Sequence, residues 1–190
     1  MKFEELATLR ADVIPNARGI VVEVGVGSGL NLPFYSSAAV SHIYGIDPSR
    51  DLLAMAQKKV DAGLAMPVTL LPQSADRIPL ANESADTVVV TWSLCSIPDP
   101  GLALREMRRV LRGDGRLIFV EHGLSPDPGV QSWQNRLTPI WRRVAGGCHL
   151  NRKIDDLIRA AGFSIATLDT RYIPGPRAVA YMYVGTGTRA

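Results

Sequence analysis

Residues 19–29 read GIVVEVGVGSG, a β-branched run that opens into three alternating glycines, Gly25, Gly27 and Gly29. An apolar run of this kind suits a strand covered on both faces, as in a parallel sheet. Glycines directly after it let the main chain turn sharply and let another group approach the backbone. A chain built around this segment needs parallel neighbours, crossover helices and something to fill the strand end.

The remaining sequence supplies the neighbours and crossovers. HIYGID (42–47), PVTLLPQS (67–74), ADTVVVTW (85–92) and GRLIFVEHG (115–123) read as strands. RDLLAMAQKKVDAG (50–63), LALREMRRVLRG (102–113) and KIDDLIRAAGF (153–163) read as helices. In the second of these, Leu104, Met107 and Leu111 recur at spacings of three and four on one face. Two closing strands, SIATLDTRYI (164–173) and AVAYMYVG (178–185), are joined by PGPR, too short for a crossover, and must run antiparallel. The expected fold is α/β, a doubly wound and mostly parallel seven-stranded sheet with a C-terminal antiparallel hairpin. The length of 190 residues fits one domain with a proper core. It divides into a short N-terminal segment (1–18), the sheet, and an insert at 124–150 on the substrate side. In such sheets the ligand lies beyond the carboxyl ends of the strands, where strand order reverses.

Composition excludes several partners. No stretch nears the ~18 apolar residues of a membrane span. The segment MKFEELATLRADVIPNARG carries early acids and no apolar signal core, so a cytoplasmic location is expected. The net charge of +3 is modest, and the arginines of REMRRVLRGDGR and WRR come with no nucleic-acid motif. They read as a solvated helix face, and no nucleic-acid partner is expected. Cys95 and Cys148 read as free thiols of a reducing compartment. Nothing in the sequence indicates an oligomeric state.

The glycine spacing narrows the ligand. A dinucleotide fingerprint counted from Gly25 requires glycine where Leu30 stands, and there is no G-K-[ST] of a phosphate loop. Glu23, inside the strand end, suits a cationic or hydrogen-donating ligand group better than a pyrophosphate. Asp47, closing the second strand, offers two acceptor oxygens to a ribose diol and would repel a 2′-phosphate. Ser49 is a better helix cap than Asp47. Asn31 reads as capping or orienting the first helix.

VVEVGVGSG, GIDPS, SADRIPLANESAD, VVVTWSLCSIPDP and EMRRVLRGDGRLIFVEHG resemble, in order over residues 19–123, the successive motifs of class I S-adenosylmethionine-dependent methyltransferases, of the type that includes ubiquinone-pathway C-methyltransferases. More narrowly, WSLCSIPDP, FVEHG, SWQNRL, PIW and GCHLNR resemble the small methyltransferase-like group that contains vertebrate alkyl-thiol methyltransferases. Bacterial phospholipid N-methyltransferases share the general plan. The resemblance implies S-adenosyl-L-methionine as cofactor. It places Gly25, Gly27 and Gly29 against the methionine and ribose, Glu23 near the amino group, Asp47 on the ribose, and Pro48 and Ser49 beside the adenine. An acid usually offered to the adenine amine is replaced here by Ser74, followed by Ala75, with Asp76 as a substitute. Thr91 and Trp92 would line the methionine side, although Trp92 also reads as core.

For the chemistry, a sulfonium is already a good leaving group, so a dedicated catalytic residue is optional. An acceptor thiol with pKa near ~8.5 is mostly protonated at neutral pH and gains from a nearby base. His122, at the carboxyl end of the fifth strand, is the candidate; a structural histidine is the competing reading. His149 is an alternative acid/base. Cys95 is placed on the substrate side, although buried cysteines are commonly small hydrophobes. No metal site is expected, because the cysteines and histidines lack metal-site spacing. In VQSWQNRLTPIWRRVAGG (130–147), Trp133, Leu137, Ile140, Trp141 and Val144 recur at helical spacing, and Pro139 should kink or split the helix. That face either packs on the sheet or forms a lid over an apolar acceptor pocket with peripheral membrane contact. The short N-terminal segment is expected to leave the site open and to supply no apolar anchor of the kind found in the vertebrate thiol methyltransferases. The expected activity is methyl transfer to a small apolar acceptor, first a thiol. Alternatives are a phospholipid or small-molecule amine, and a non-catalytic cofactor-binding protein.

Overall fold

A computed structural model describes residues 3–190. One seven-stranded sheet runs in the order β3-β2-β1-β4-β5-β7-β6. The strands are β1 (Gly19–Val24), β2 (Val40–Ile46), β3 (Val68–Leu71), β4 (Ala85–Thr91), β5 (Leu111–His122), β6 (Phe163–Tyr172) and β7 (Tyr181–Arg189). The first five are parallel, and β7 is antiparallel to both β5 and β6. The closing pair is therefore the expected hairpin, but its second strand inserts beside β5 and leaves β6 at the edge.

Alternate residues of the central strands feed two cores. Val22, Val24, Val88, Val90 and Phe119 pack on one face with Leu104, Met107, Ile154 and Ile158 from α3 (Pro100–Val110) and α5 (Ile154–Ala160). Val21, Val89 and Ile118 pack on the other with Leu53 and Ala56 of α2 (Arg50–Asp61). Both faces are dry, which explains why these strands read as continuous apolar runs. Ser49 caps α2 by accepting from Leu52 N–H at 3.3 Å, and Asp99 caps α3 by accepting from Leu102 N–H at 2.8 Å.

Three expectations are corrected. No α-helix follows the glycine turn; only the one-turn 3-10 helix Leu32–Phe34 does, and the Asn31 side chain makes no capping bond there. The split that was one of the two outcomes expected at Pro139 does not occur: α4 (Pro128–Val144) is continuous through it, and the proline removes a single intrahelical donor. Of the two readings of the α4 apolar stripe, packing on the sheet is the one overturned: Trp133 is 60% and Val144 76% exposed while Gln134 and Thr138 are buried, and Trp141 turns toward a cavity. Gln134 fixes this orientation, donating to the carbonyls of Gly123 and Ala178 and accepting from Ser125 N–H, each at 3.0 Å. Among the described residues no helix is long and apolar enough to cross a membrane.

Candidate functional site

Strand order reverses between β1 and β4, and their carboxyl ends diverge there into a cavity of about 400 Å³. Its walls include Gly25, Gly27, Asp47, Pro48, Ser74, Ala75, Thr91 and Trp92, eight of the eleven positions expected to meet a cofactor. Gly25 has φ +74, and a Cβ there would lie 1.9 Å from Ser93 Oγ, so only glycine lets the two loops meet. Gly27 has φ +51, and a Cβ there would come no closer than 4.0 Å to Asp47 Oδ2 and the Gly25 carbonyl, so the φ rather than crowding favours glycine beside the cavity. Asp47 spans the two loops: one oxygen accepts from Gly27 N–H at 3.0 Å, the other from Ser49 N–H at 2.8 Å. Each oxygen keeps a lone pair, which suits two adjacent sugar hydroxyls.

Gly29 and Ser49 do not line this cavity. A Cβ at Gly29 would press 2.7 Å from Leu32 and 3.1 Å from Ala56, so this glycine serves packing of the turn on α2. Ser49 is occupied as the helix cap. Asp76 is exposed and also absent from the walls, which leaves the Ser74 hydroxyl at that end.

Glu23 lies in an adjoining chamber of about 230 Å³ with Arg10, Asn31 and Thr91. Asn31 Nδ2 donates to Glu23 Oε1 and to Thr91 Oγ1, both at 3.0 Å, and Tyr35 Oη donates to Glu23 Oε2 at 2.8 Å. Arg10 Nε donates to Asn31 Oδ1 at 3.0 Å, which fixes the orientation of the amide. Burial pushes the Glu23 carboxyl up to about 7, against the hydrogen bonds from Tyr35 and Asn31. An acid and a guanidinium in one chamber match the ammonium and carboxylate of a free amino acid.

Arg10 belongs to α1 (Phe3–Val13), and its guanidinium lies 4.4 Å from the Trp92 ring centre. The expected open site is thus corrected: the N-terminal segment is a helix whose Arg10 and Leu6 help wall the site. No local signal in the sequence marked Arg10, because its partners are Asn31 and Trp92, far along the chain.

A third cavity, about 320 Å³, shares Trp92 and Ser96 with the first and Arg10 with the second. Leu6, Trp141, Ala145, Leu150 and Val179 make it apolar, and Cys95, His122 and Cys148 stand in its wall. Trp92 takes φ +49, a left-handed conformation uncommon for a large side chain, and in it forms part of the wall of two cavities. His122 Nε2 is 3.1 Å from Cys148 Sγ, and Nδ1 has no protein partner. The ligand-type atoms of Cys95, His122 and Cys148 all lie within 4.8 Å of one another, a proximity that chain spacing did not reveal. Both cysteines are free and buried. Cys95 and His122 hold Cys148 well below the usual thiol range, while Cys148 and burial push Cys95 up.

Two residues unassigned by the sequence reading shape the wall that bears Cys95. Glu121 accepts from the N–H groups of Ser93 at 2.7 Å and Leu94 at 3.0 Å, and burial pushes its carboxyl up to about 7. Arg152 donates to the carbonyls of Leu94 and Ile97. Two expected substrate residues fall away. Trp133 points to solvent because the inner face of α4 is taken by Gln134 and Thr138. His149 does not line the cavity; its backbone N–H binds the Cys95 carbonyl at 2.8 Å and draws the two cysteine loops together.

A nucleoside crevice at a strand-order switch, a zwitterion chamber and an adjoining apolar cavity define a class of cofactor-dependent group-transfer domain. The methyltransferase-domain family model matches residues 22–119, and the chain belongs to that family. S-adenosylmethionine is the cofactor of this family and of this chain, and Gly25, Gly27 and Asp47 line one cavity while Glu23 and Arg10 line the next. The chain is 33% identical over 153 residues to a thiol S-methyltransferase of Rattus norvegicus, covering 78% of this chain and 62% of that protein. It is 39% identical over 123 residues to a phosphatidylethanolamine N-methyltransferase of Cereibacter sphaeroides, covering 64% and 60%. It spans about three fifths of the length of these curated relatives. The fold matches the YcgJ protein of Bacillus subtilis with a TM-score of 0.74 over 99% of both chains at 16% identity.

Proposed function

We propose that this protein transfers the methyl group of S-adenosylmethionine to the sulfur of a small apolar thiol. The observation that carries the reading is the apolar cavity joined to the cofactor crevice through Trp92 and Ser96, with His122 in its wall. The likeness to thiol S-methyltransferases points the same way.

The cofactor supplies an activated methyl group on a sulfonium. Asp47 holds the ribose, Glu23 takes the amino group and Arg10 the carboxylate. An ammonium beside Glu23 favours its ionised form, offsetting the desolvation that raises its pKa. Ser74 and Pro48 bound the adenine. Trp92, lining both cavities, bounds the two ligands from one side and holds the acceptor sulfur in line with the methyl group; positioning of this kind contributes up to about 7–11 kcal/mol to catalysis. His122 accepts the thiol proton, and Arg10, lining the same cavity, favours the thiolate. The C-terminal end of α4, through Trp141 and Ala145, closes the acceptor cavity against water. The outer face of α4, with exposed Trp133, Ile140 and Val144 among Arg136, Arg142 and Arg143, rests on an anionic membrane surface, where apolar acceptors concentrate.

A second reading, methylation of a phospholipid amine, is favoured by that same exposed face and by the Cereibacter sphaeroides relative. Incubation with methyl-labelled cofactor and a panel of thiols, amines and phenols separates the two. Label in apolar thiols alone supports the first reading. Label confined to phosphatidylethanolamine, or in no acceptor, overturns it.

A further inference from the structure

We propose that Cys95, His122 and Cys148 are the three protein ligands of a zinc ion whose fourth position opens into the apolar cavity beside Trp92, where the acceptor sulfur binds. The identity of the fourth ligand rests on the thiol reading above; the three protein ligands do not.

The donor set is two soft sulfurs and one imidazole nitrogen, which suits zinc among common divalent ions. In a tetrahedral zinc site, bonds of about 2.3 Å to sulfur and 2.0 Å to nitrogen set ligand atoms roughly 3.5–3.8 Å apart. His122 Nε2 and Cys148 Sγ stand 3.1 Å apart and all three ligand atoms lie within 4.8 Å of one another, so side-chain adjustments of under about 1.5 Å reach that spacing. All three residues are buried, and all three line the cavity. Three protein ligands with the remaining side on a cavity is the pattern of a catalytic zinc site, whereas structural sites close the shell with four.

The backbone beneath each ligand is held in place. Glu121 and Arg152 grip the loop that carries Cys95 from its N–H and C=O sides, and the His149 N–H ties that loop to the Cys148 segment. His122 ends β5 in register with Met182 of β7. No part of the cluster depends on the exposed face of α4. Two thiolates and a bound acceptor thiolate exceed the ion's charge by one, an excess that the positive sulfonium of the cofactor, across the shared Trp92 and Ser96 wall, offsets.

The site gives the acceptor a route that His122 alone does not. The thiol binds through sulfur and releases its proton to water. A bond then forms between that sulfur and the methyl carbon as the carbon–sulfonium bond breaks. The products are a thioether and S-adenosylhomocysteine, with no change in oxidation state. The neutral thioether is a weaker ligand and leaves. His122 is then a ligand, and the ion replaces it as the group that favours thiolate.

The test uses the full chain, purified with a phosphine reductant, stripped with a chelator and titrated with Co²⁺. The expected result is one equivalent bound, with an intense thiolate-to-cobalt charge-transfer band and the visible bands of tetrahedral cobalt. Protein from zinc-supplemented cells should carry about one zinc per chain. Cys95→Ser and Cys148→Ser should each abolish the charge-transfer spectrum of the parent while keeping cofactor Kd within about twofold. Phenylmethanethiol should shift the cobalt band, and its S-methyl ether should not. Folded, cofactor-binding parent protein without stoichiometric zinc or cobalt overturns the site, as does a Cys95–Cys148 disulfide in protein isolated without oxidant. Because the parent's own metal content decides, misfolding of a serine variant does not rescue the proposal. Cobalt binding that ignores thiols, in protein that methylates them, overturns the open position. A thiol-sensitive cobalt spectrum in protein that methylates no thiol supports the metal site and overturns the thiol activity.

Discussion

The cofactor side and the acceptor side of this site are built by different means. The cofactor side is made of main chain: glycines at left-handed φ, N–H groups clamped by Asp47, and a carboxylate at the end of β1. The proposed acceptor side is made of side chains from five separate places, α1, the loop after β4, the end of β5, the region from α4 to Leu150, and Val179 before β7. The first can bind one kind of ligand, whatever the surface residues. The second is free to change its acceptor with few substitutions, and its chemistry depends on how distant segments meet.

That contrast can be broken most severely at Asp47. Asp47→Ala removes the two oxygens proposed to hold the ribose and the acceptor of two backbone N–H groups. Charge-assisted bonds contribute about 1.5–3 kcal/mol each, so cofactor Kd by titration calorimetry should rise roughly a hundredfold or more. A smaller effect should appear in stability against pH. Glu23 and Glu121 both have carboxyls raised to about 7 by burial, so the folded protein without cofactor holds more protons than the unfolded chain between about pH 4.5 and 7. Their contribution is complete below the unfolded carboxyl pKa and is lost as pH rises through 7. Urea denaturation should therefore show the parent less stable at pH 8 than at pH 5 by roughly 1–3 kcal/mol. Glu121→Gln should reduce that difference, since an amide oxygen can still accept from Ser93 and Leu94.

The same contrast explains what was legible beforehand. The strand after strand of apolar residues, the glycine spacing and the acid closing β2 are local patterns, and each led to the right element. Asp47, Gly25 and Trp92 stand in the cavity wall, where strand ends in a sheet of this order put them. Arg10 could not be placed in this way, since its stack on Trp92 joins chain ends that nothing local relates. The Cys95–His122–Cys148 cluster was hidden for the same reason, and the expectation of no metal site reflected chain spacing where only spatial distance matters. On α4 the periodicity marks the helix but leaves its direction open between the sheet and a lid. The helix turns its polar Gln134 inward because three backbone groups there need partners, so the apolar stripe is left outside.

That inversion yields the two mildest tests. Trp141, which lines the acceptor cavity, when changed to alanine should raise KM for an apolar thiol about tenfold, with cofactor Kd within twofold of the parent; equal losses in both would erase the division. Trp133→Ala should leave KM unaltered and stability within ~0.5 kcal/mol, while weakening co-sedimentation with vesicles containing anionic lipid. Unchanged sedimentation would remove the membrane role of α4.

The division itself is read most directly from a crystal structure with S-adenosylhomocysteine bound. The ribose should lie on Asp47, the amino group on Glu23, and the thioether sulfur should face the wall formed by Trp92 and Ser96, toward His122 and the two cysteines. A sulfur turned away from that wall, with the Cys–His cavity cut off from it by protein, would contradict the assignment of the two sides.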